Sequence, residues 1–320
     1  MSATMVAGYR HLPGNHCGST ALRNLLAFGG VEISEEMAFG LGSGACFYYV
    51  PLDGQSPSRF INGRVGRLEQ QFCELTGLAL ELRTFEGPGD SWQAARSVVD
   101  AGAPALLLTD LYYLDHYGSS AHFPGHAVVL AGYDDEVAYL SDTAFGELQT
   151  TRLENLARAR HGEHPIFPLA GHMLALPADG LDDPRPAAAR AIERNARQMI
   201  EPAMGDFEGL PALRRFAAEV GSWPEQIDDW QWCARFGYQV IERRGTGGGN
   251  FRLMYSRFLA EVESPHAALA AEAAEGWTKL AAALLAASHA DEPESSLWRE
   301  VGDGAQEVLA TEERLWPALL

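Results

Sequence analysis

No run of about eighteen apolar residues, the length that spans a bilayer, occurs in the 320-residue chain. The N-terminal MSATMVAGYR also lacks the basic stretch followed by an apolar one that marks a secretory signal. Both absences lead us to expect a cytoplasmic protein with no membrane partner. Positive charge is scarce as well, with 24 Lys and Arg against 43 Asp and Glu and a net charge of −19. That excludes the basic patch a nucleic-acid partner requires. The acid excess is spread over both halves and serves solubility, although it would also suit a cationic substrate such as an amino sugar or polyamine. Cysteine is sparse: Cys17, Cys46, Cys73 and Cys233 form no CxxC pair. Neither a zinc ribbon nor a disulfide framework is indicated, and reduced thiols are expected.

Cys17 differs from the other three in its setting. In LPGNHCGSTALRNLL (12–26), a turn-forming Pro-Gly-Asn run delivers it to the first turn of a helix, with Leu22, Leu25 and Leu26 at helical spacing and Gly29-Gly30 ending the run. Unpaired N–H groups and the positive dipole end at a helix start favour a thiolate. A buried, inert thiol is the alternative reading. Downstream, FPGHAVVLAGYDDEVAYLSDT (123–143) predicts two strands, 126–133 and 137–143, around the acidic turn Asp134-Asp135-Glu136. In an antiparallel hairpin the start of the first strand lies beside the end of the second, which sets His126 next to Asp142. A nucleophilic thiol needs a base, and the base needs an acceptor on its other ring nitrogen. Cys17, His126 and Asp142 fit those roles; a core cysteine, a strand-end histidine and a turn aspartate without mutual contact would be the alternative.

Residues 1–178 mix helix and strand signals. A short helix capped by Ser34, a strand at 45–50, an irregular stretch at 51–64 and a helix near 66–76 come first. A strand at 78–85, a helix at about 91–101, a buried strand at 105–110, the His126 hairpin, a helix near 152–160 and a strand at 172–177 follow. Such a half is α+β. PADGLDDPRP (177–186) reads as a linker, and 179–320 shows helical periodicity throughout. Six of seven tryptophans lie beyond residue 220, so this half should own a core.

HCGSTALRNLL (16–26), FGLGSGACFYY (39–49), INGR (61–64) and GHAVVLAGYDD with Asp142 resemble the butirosin biosynthesis protein H family. IERRGTGGGNFRLMYSRFLAE (241–261) resembles the uncharacterised helical domain commonly fused to it. The resemblance implies a papain-like catalytic domain over 1–178 and an all-helical accessory or substrate-covering domain over 179–320. It also implies acyl transfer from a phosphopantetheine thioester on an acyl carrier protein, or on a synthetase carrier domain, to a small-molecule amine in specialised-metabolite or antibiotic biosynthesis. Cys17 would carry the acyl group and His126 would act as general base, with no cofactor of the enzyme's own. A hydrolase of the same fold (amidase, peptidase or thioesterase), with water in place of the amine, is the alternative. A non-catalytic binding protein is a third, against which the intact Cys/His/Asp set argues.

Oxyanion donors would be the Cys17 N–H together with Asn15 or His11, because no Gln stands upstream of the cysteine as it does in papain-like enzymes. Gly42 and Ser43 of GLGSG (40–44) are candidates to hold phosphate or pantetheine, or else end a helix. Arg59 and Arg64 would hold the carrier's phosphate or pair with surface acids. GTGGGN (245–250) with Arg252 would be a lid over the site, carrying Gly247 and Arg252 to its opening, or a plain connection. The spacings of His11, His16, Cys17, His122 and His126 match no zinc signature, so no metal is expected. Acyl group, acceptor and oligomeric state are not encoded in any motif.

Overall fold

Cys17–Phe28 forms the expected helix with Cys17 as its first residue, and Leu22, Leu25 and Leu26 on its inner face are fully buried. His16, extended at φ −99° and ψ 126°, caps it: its ring nitrogen accepts the Ser19 N–H at 3.2 Å. Helix capping by a side-chain acceptor satisfies one of the orphan donors of the first turn. After Phe28 the chain reverses through Gly30 at φ 83°, a conformation that glycine adopts without a Cβ penalty. The computed structural model describes residues 3–320 except 53, 163, 165, 166 and 179; residue 179 of the 177–186 linker therefore lies outside the described residues.

Two compact units emerge. The first comprises Met1–Ala38 and Gly66–Ala187, the second Phe39–Val65 and Ala188–Leu320. The expected split at 178/179 thus moves to 187/188, and the stretch 39–65 belongs with the C-terminal residues.

The first unit is α+β. Its antiparallel sheet runs, edge to edge, through Met173–Ala175, Ala105–Asp110, Pro124–Tyr133, Val137–Ser141 and Gln149–Arg152, with Thr4–Met5 added beside Tyr133 and Gly132. All six residues of Ala105–Asp110 are buried, which explains their unbroken apolar run: both faces of this strand are covered. Leu107, Val128 and Leu130 join Ala95 and Val99 of the Pro88–Asp100 helix and Leu156 and Ala159 of the Leu153–Arg160 helix in one apolar cluster. The strand expected at 78–85 reduces to a single bridge, Arg83 to Met173, with Phe85 N–H donating to the Ala170 carbonyl at 2.8 Å. Its alternating side chains find only this short partner. No helix among the described residues is long and apolar enough to cross a membrane.

In the second unit, Ala45–Pro51 pairs with Arg59–Arg64, so half of the stretch read as irregular is a strand. This hairpin makes the second unit not wholly helical, although the described residues from Ala188 onward hold helices and no strand. Phe47 packs on Phe216 and Trp277 with ring centroids 5.5 and 5.2 Å away, and Tyr49 stacks on Trp223 at 6.4 Å. Asn195, fully buried, accepts the Ala45 N–H at 3.2 Å and donates to the Ala45 carbonyl at 2.6 Å, so the open edge of the strand keeps its backbone bonds.

Candidate active site

The hairpin Pro124–Tyr133/Val137–Ser141 does what its pattern predicts: Val129 faces Ser141, and the strand start meets the residue just past the second strand. His126 Nε2 lies 2.9 Å from Asp142 Oδ2, and both side chains are buried. The Cys17 sulfur is bonded to the same ring and acts on it by its charge. With Nε2 given to Asp142, Nδ1 is the nitrogen left for the sulfur. Cys17 itself is half-buried, whereas Cys46 is fully enclosed.

Electrostatics bind the three. Burial alone would push the His126 imidazole down, but the Asp142 charge, its hydrogen bond and the Cys17 sulfur together raise it to about 10. Burial would likewise raise Asp142; the His126 charge and the bonds from His116 and His126 instead hold its carboxyl well below the usual carboxylate range. A charged imidazolium held against a carboxylate on one side and a sulfur on the other is the environment that keeps a thiolate.

Asp142 has two further partners that sequence reasoning missed. His116 Nε2 lies 3.0 Å from Oδ2 and Nδ1 lies 3.1 Å from Thr151 Oγ1, while the Tyr117 hydroxyl donates to Oδ1 at 3.0 Å. Tyr117 also sets its ring edge-on to His126, 5.5 Å between centroids, and burial beside Asp142 pushes its phenol far up, so it remains a donor. Both residues follow the short turn Leu111–Tyr113 in DHYG, a segment without periodicity or motif.

The approach to Cys17 is fastened at two points. The Glu35 carboxylate accepts the Asn15 N–H at 2.9 Å, the His16 N–H at 2.6 Å and the Thr20 hydroxyl at 3.0 Å. On the other side, Gly14 N–H donates to the Thr143 carbonyl at 3.1 Å, and His11 bridges Ser141 Oγ (2.7 Å) and the Phe145 carbonyl (2.8 Å). The segment before Cys17 is thereby tied to the turn that carries Asp142.

These bonds correct one expectation. Nε2 of His11 must donate to a carbonyl and Nδ1 is taken by Ser141, so the ring has no hydrogen to offer an oxyanion. Asn15 is exposed and gives one Nδ2 hydrogen to Glu35 at 3.2 Å, leaving the second. His122, the nearest rival to His126 in sequence, binds Asp110 instead, at 2.6 Å.

The remaining candidates fall in the second unit. Gly42 and Ser43 are buried, and the Ser43 hydroxyl donates to the Ala191 carbonyl at 2.9 Å; GLGSG is the end of the Glu35–Leu41 helix, closed to a phosphate. Arg59 and Arg64 are half-buried on the Arg59–Arg64 strand, donating to the Ser58 and Val65 carbonyls. Gly245, Gly247, Gly248 and Gly249 all take positive φ, and a Cβ on Gly249 would come within 2.6 Å of the Ala274 carbonyl oxygen. Backbone conformation and close packing account for these glycines without any lid motion. Arg252 is fully buried, far from being at an opening: it pairs with Glu312 at 2.8 and 3.0 Å and donates to the carbonyls of Cys46, Gly63 and Asn250.

A cysteine opening a helix thus shares one buried cluster with a histidine and an aspartate carried by an antiparallel hairpin. Two family models match the chain: Butirosin biosynthesis protein H, N-terminal, over residues 16–143, and Domain of unknown function (DUF4872), over residues 154–319. Among solved structures, the chain is similar to a protein from Bacillus anthracis described as a C39-like peptidase, at 16% identity and a TM-score of 0.38, over 56% of this chain and 100% of that one. No curated protein matches the chain.

Proposed function

We propose that this chain, which belongs to the family joining a butirosin biosynthesis protein H N-terminal domain to DUF4872, is a cysteine acyltransferase that moves an acyl group from a carrier-protein thioester to an amine. The observation that carries the reading is the continuous Cys17–His126–Asp142 chain of bonds. The Cys17 thiolate attacks the thioester carbonyl, forming a C–S bond and an oxyanion, toward which Asn15 directs its remaining Nδ2 hydrogen. Collapse expels the pantetheine thiolate, which takes the proton from the His126 imidazolium and leaves a Cys17 thioester. Neutral His126 then takes a proton from the incoming amine as its nitrogen attacks; the amide forms and the Cys17 thiolate departs. One thioester replaces another in the first half, so the donor's free energy is kept for the amide. Asp142 remains ionised throughout, with His116 and Tyr117 holding it as positioning residues.

The test is intact-mass spectrometry of the full chain with acyl-loaded carrier protein, followed by addition of an aminoglycoside-type amine. The reading expects a mass adduct on Cys17 that disappears on amine addition with appearance of the amide. An adduct released only to water identifies a hydrolase of the same fold, and absence of any adduct with Cys17 intact refutes covalent catalysis. The carrier partner, the amine and a role for Arg59 and Arg64 in holding the carrier's phosphate belong to this proposal.

A further inference from the structure

A second histidine–carboxylate cluster lies in the first unit and takes no part in the chemistry above. Asp110 ends the strand Ala105–Asp110, His122 stands in the connection to the next strand, and His164 lies between the short paired strands His161–Gly162 and Leu169–Ala170. One ligand atom from each falls within 4.8 Å of the other two. Asp110 is buried and its Oδ1 is held by the backbone N–H groups of Tyr112 (3.1 Å) and Phe123 (2.9 Å), which turns Oδ2 toward the histidines. His122 Nδ1 is 2.6 Å and His164 Nε2 3.2 Å from that oxygen. The Tyr112 ring stacks on His122 at 4.1 Å and fixes its plane.

His164 Nε2 is the informative atom. It is shut off from solvent and makes no hydrogen bond, although Asp110 Oδ2 is only 3.2 Å away. A buried ring nitrogen facing a carboxylate oxygen without a hydrogen bond is a geometry that a cation held by both would satisfy. We propose that Asp110, His122 and His164 bind a divalent first-row transition ion of the Zn2+ class. Two imidazole nitrogens and one carboxylate suit such an ion and disfavour Ca2+ and Mg2+, which take oxygen. A tetrahedral centre with bonds near 2.0 Å sets its ligand atoms about 3.3 Å apart. Asp110 and His164 already have that spacing, and the Asp110–His122 contact opens by about 0.7 Å to reach it. The two backbone bonds to Oδ1 are the outer shell that orients the carboxylate. His122 is the exposed ligand, with 48% of its side-chain surface open to solvent.

The site's role is to clamp. Thr109, next to Asp110, pairs with His126 and donates its hydroxyl to the His126 carbonyl at 2.9 Å. An ion on Asp110 therefore pins the strand ends that deliver the catalytic imidazole, and joins them to His164. Spacing motifs do not reveal it because the ligands come from three separate segments.

The experiment is Zn2+ titration of the chelator-stripped full chain against a chromophoric competitor, with thermal unfolding as a second readout. The parent and Cys17→Ala should each bind one equivalent with equal affinity and gain melting temperature on binding. His164→Ala and His122→Ala should each lose at least about tenfold in affinity, the size of loss known even for outer-shell changes. Asp110→Asn also disturbs two backbone bonds, so the histidine variants decide. Parent-like binding by either of them, loss of binding in Cys17→Ala, or no stoichiometric binding by the parent would overturn the site.

Discussion

Alkylation offers the sharpest test of the Cys17 assignment. Burial pushes the thiols of Cys46 and Cys73 up to about 12. At pH 7.5 each is then ionised to about 3 parts in 10^5, whereas an ordinary thiol near 8.5 is ionised to about one part in ten. The ratio is about 3 × 10^3 in thiolate. A more basic thiolate is the better nucleophile, with a Brønsted slope near 0.45, which returns about 40-fold over 3.5 pH units. The net preference for a thiol that is merely ordinary is about 10^2, and Cys17, bonded to a raised imidazole, should do at least as well. Cys73 is the stringent comparison, since it is half-buried like Cys17 while Cys46 is enclosed. Limiting iodoacetamide followed by peptide mass spectrometry gives a rate for each cysteine. Labelling of Cys73 or Cys233 within threefold of Cys17, or an unchanged Cys17 rate in His126→Ala, would refute the argument.

Removing the base should cost more than altering its orienter: His126→Ala is expected to slow acyl-enzyme formation by about 10^2–10^4, and Asp142→Asn by less, measured by single-turnover mass spectrometry; a reversed order would place the base elsewhere. His116→Ala should lower the rate modestly and narrow the pH profile, because Asp142 keeps Tyr117 and His126. The pH dependence of stability has two edges. The raised His126 contributes fully below 6.5 and loses its share as pH climbs through about 10, while the lowered Asp142 contributes above 3.8 and loses its share as pH falls. The melting-temperature gap between parent and Asp142→Asn should therefore be widest between about pH 4 and 6.5, and a gap constant up to pH 10 contradicts the pairing. Arg252→Met leaves Glu312 charged and buried without its partner, a loss of about 3–5 kcal/mol by urea unfolding; a change under 1 kcal/mol would mean the network is dispensable.

The site's three principal residues are legible because each stands at an element boundary: a helix start at Cys17 and the two ends of one hairpin at His126 and Asp142. Such boundaries are written in local periodicity. His116 and Tyr117 have no such mark, since only the sheet's register brings them to Asp142. Glu35 is legible as a first-turn acid but not as the anchor of Asn15 and His16 twenty residues back. Arg252 beside a glycine run reads as part of a lid at the site's opening; its burial follows from Glu312, sixty residues on. The α+β character of the first unit follows from alternating and helical periods, whereas pairing of 45–51 with 59–64 depends on a packing surface supplied by Phe216, Trp223 and Trp277.

That pairing has a consequence for how the chain is made. Residues 66–187, 122 in number, lie between the hairpin and the rest of its unit. The first aromatic partner of Phe47 and Tyr49, Phe216, comes 167 residues after Tyr49, so at about 5–20 residues per second a ribosome leaves the two rings without it for roughly 8–33 seconds. During that interval the nascent hairpin is a sticky surface that a chaperone or the growing first unit must shield. A gene cut at 177–186 would make the wait permanent, releasing a fragment with orphaned aromatics, so dissection of this protein calls for circular permutation or co-expression of the two segments.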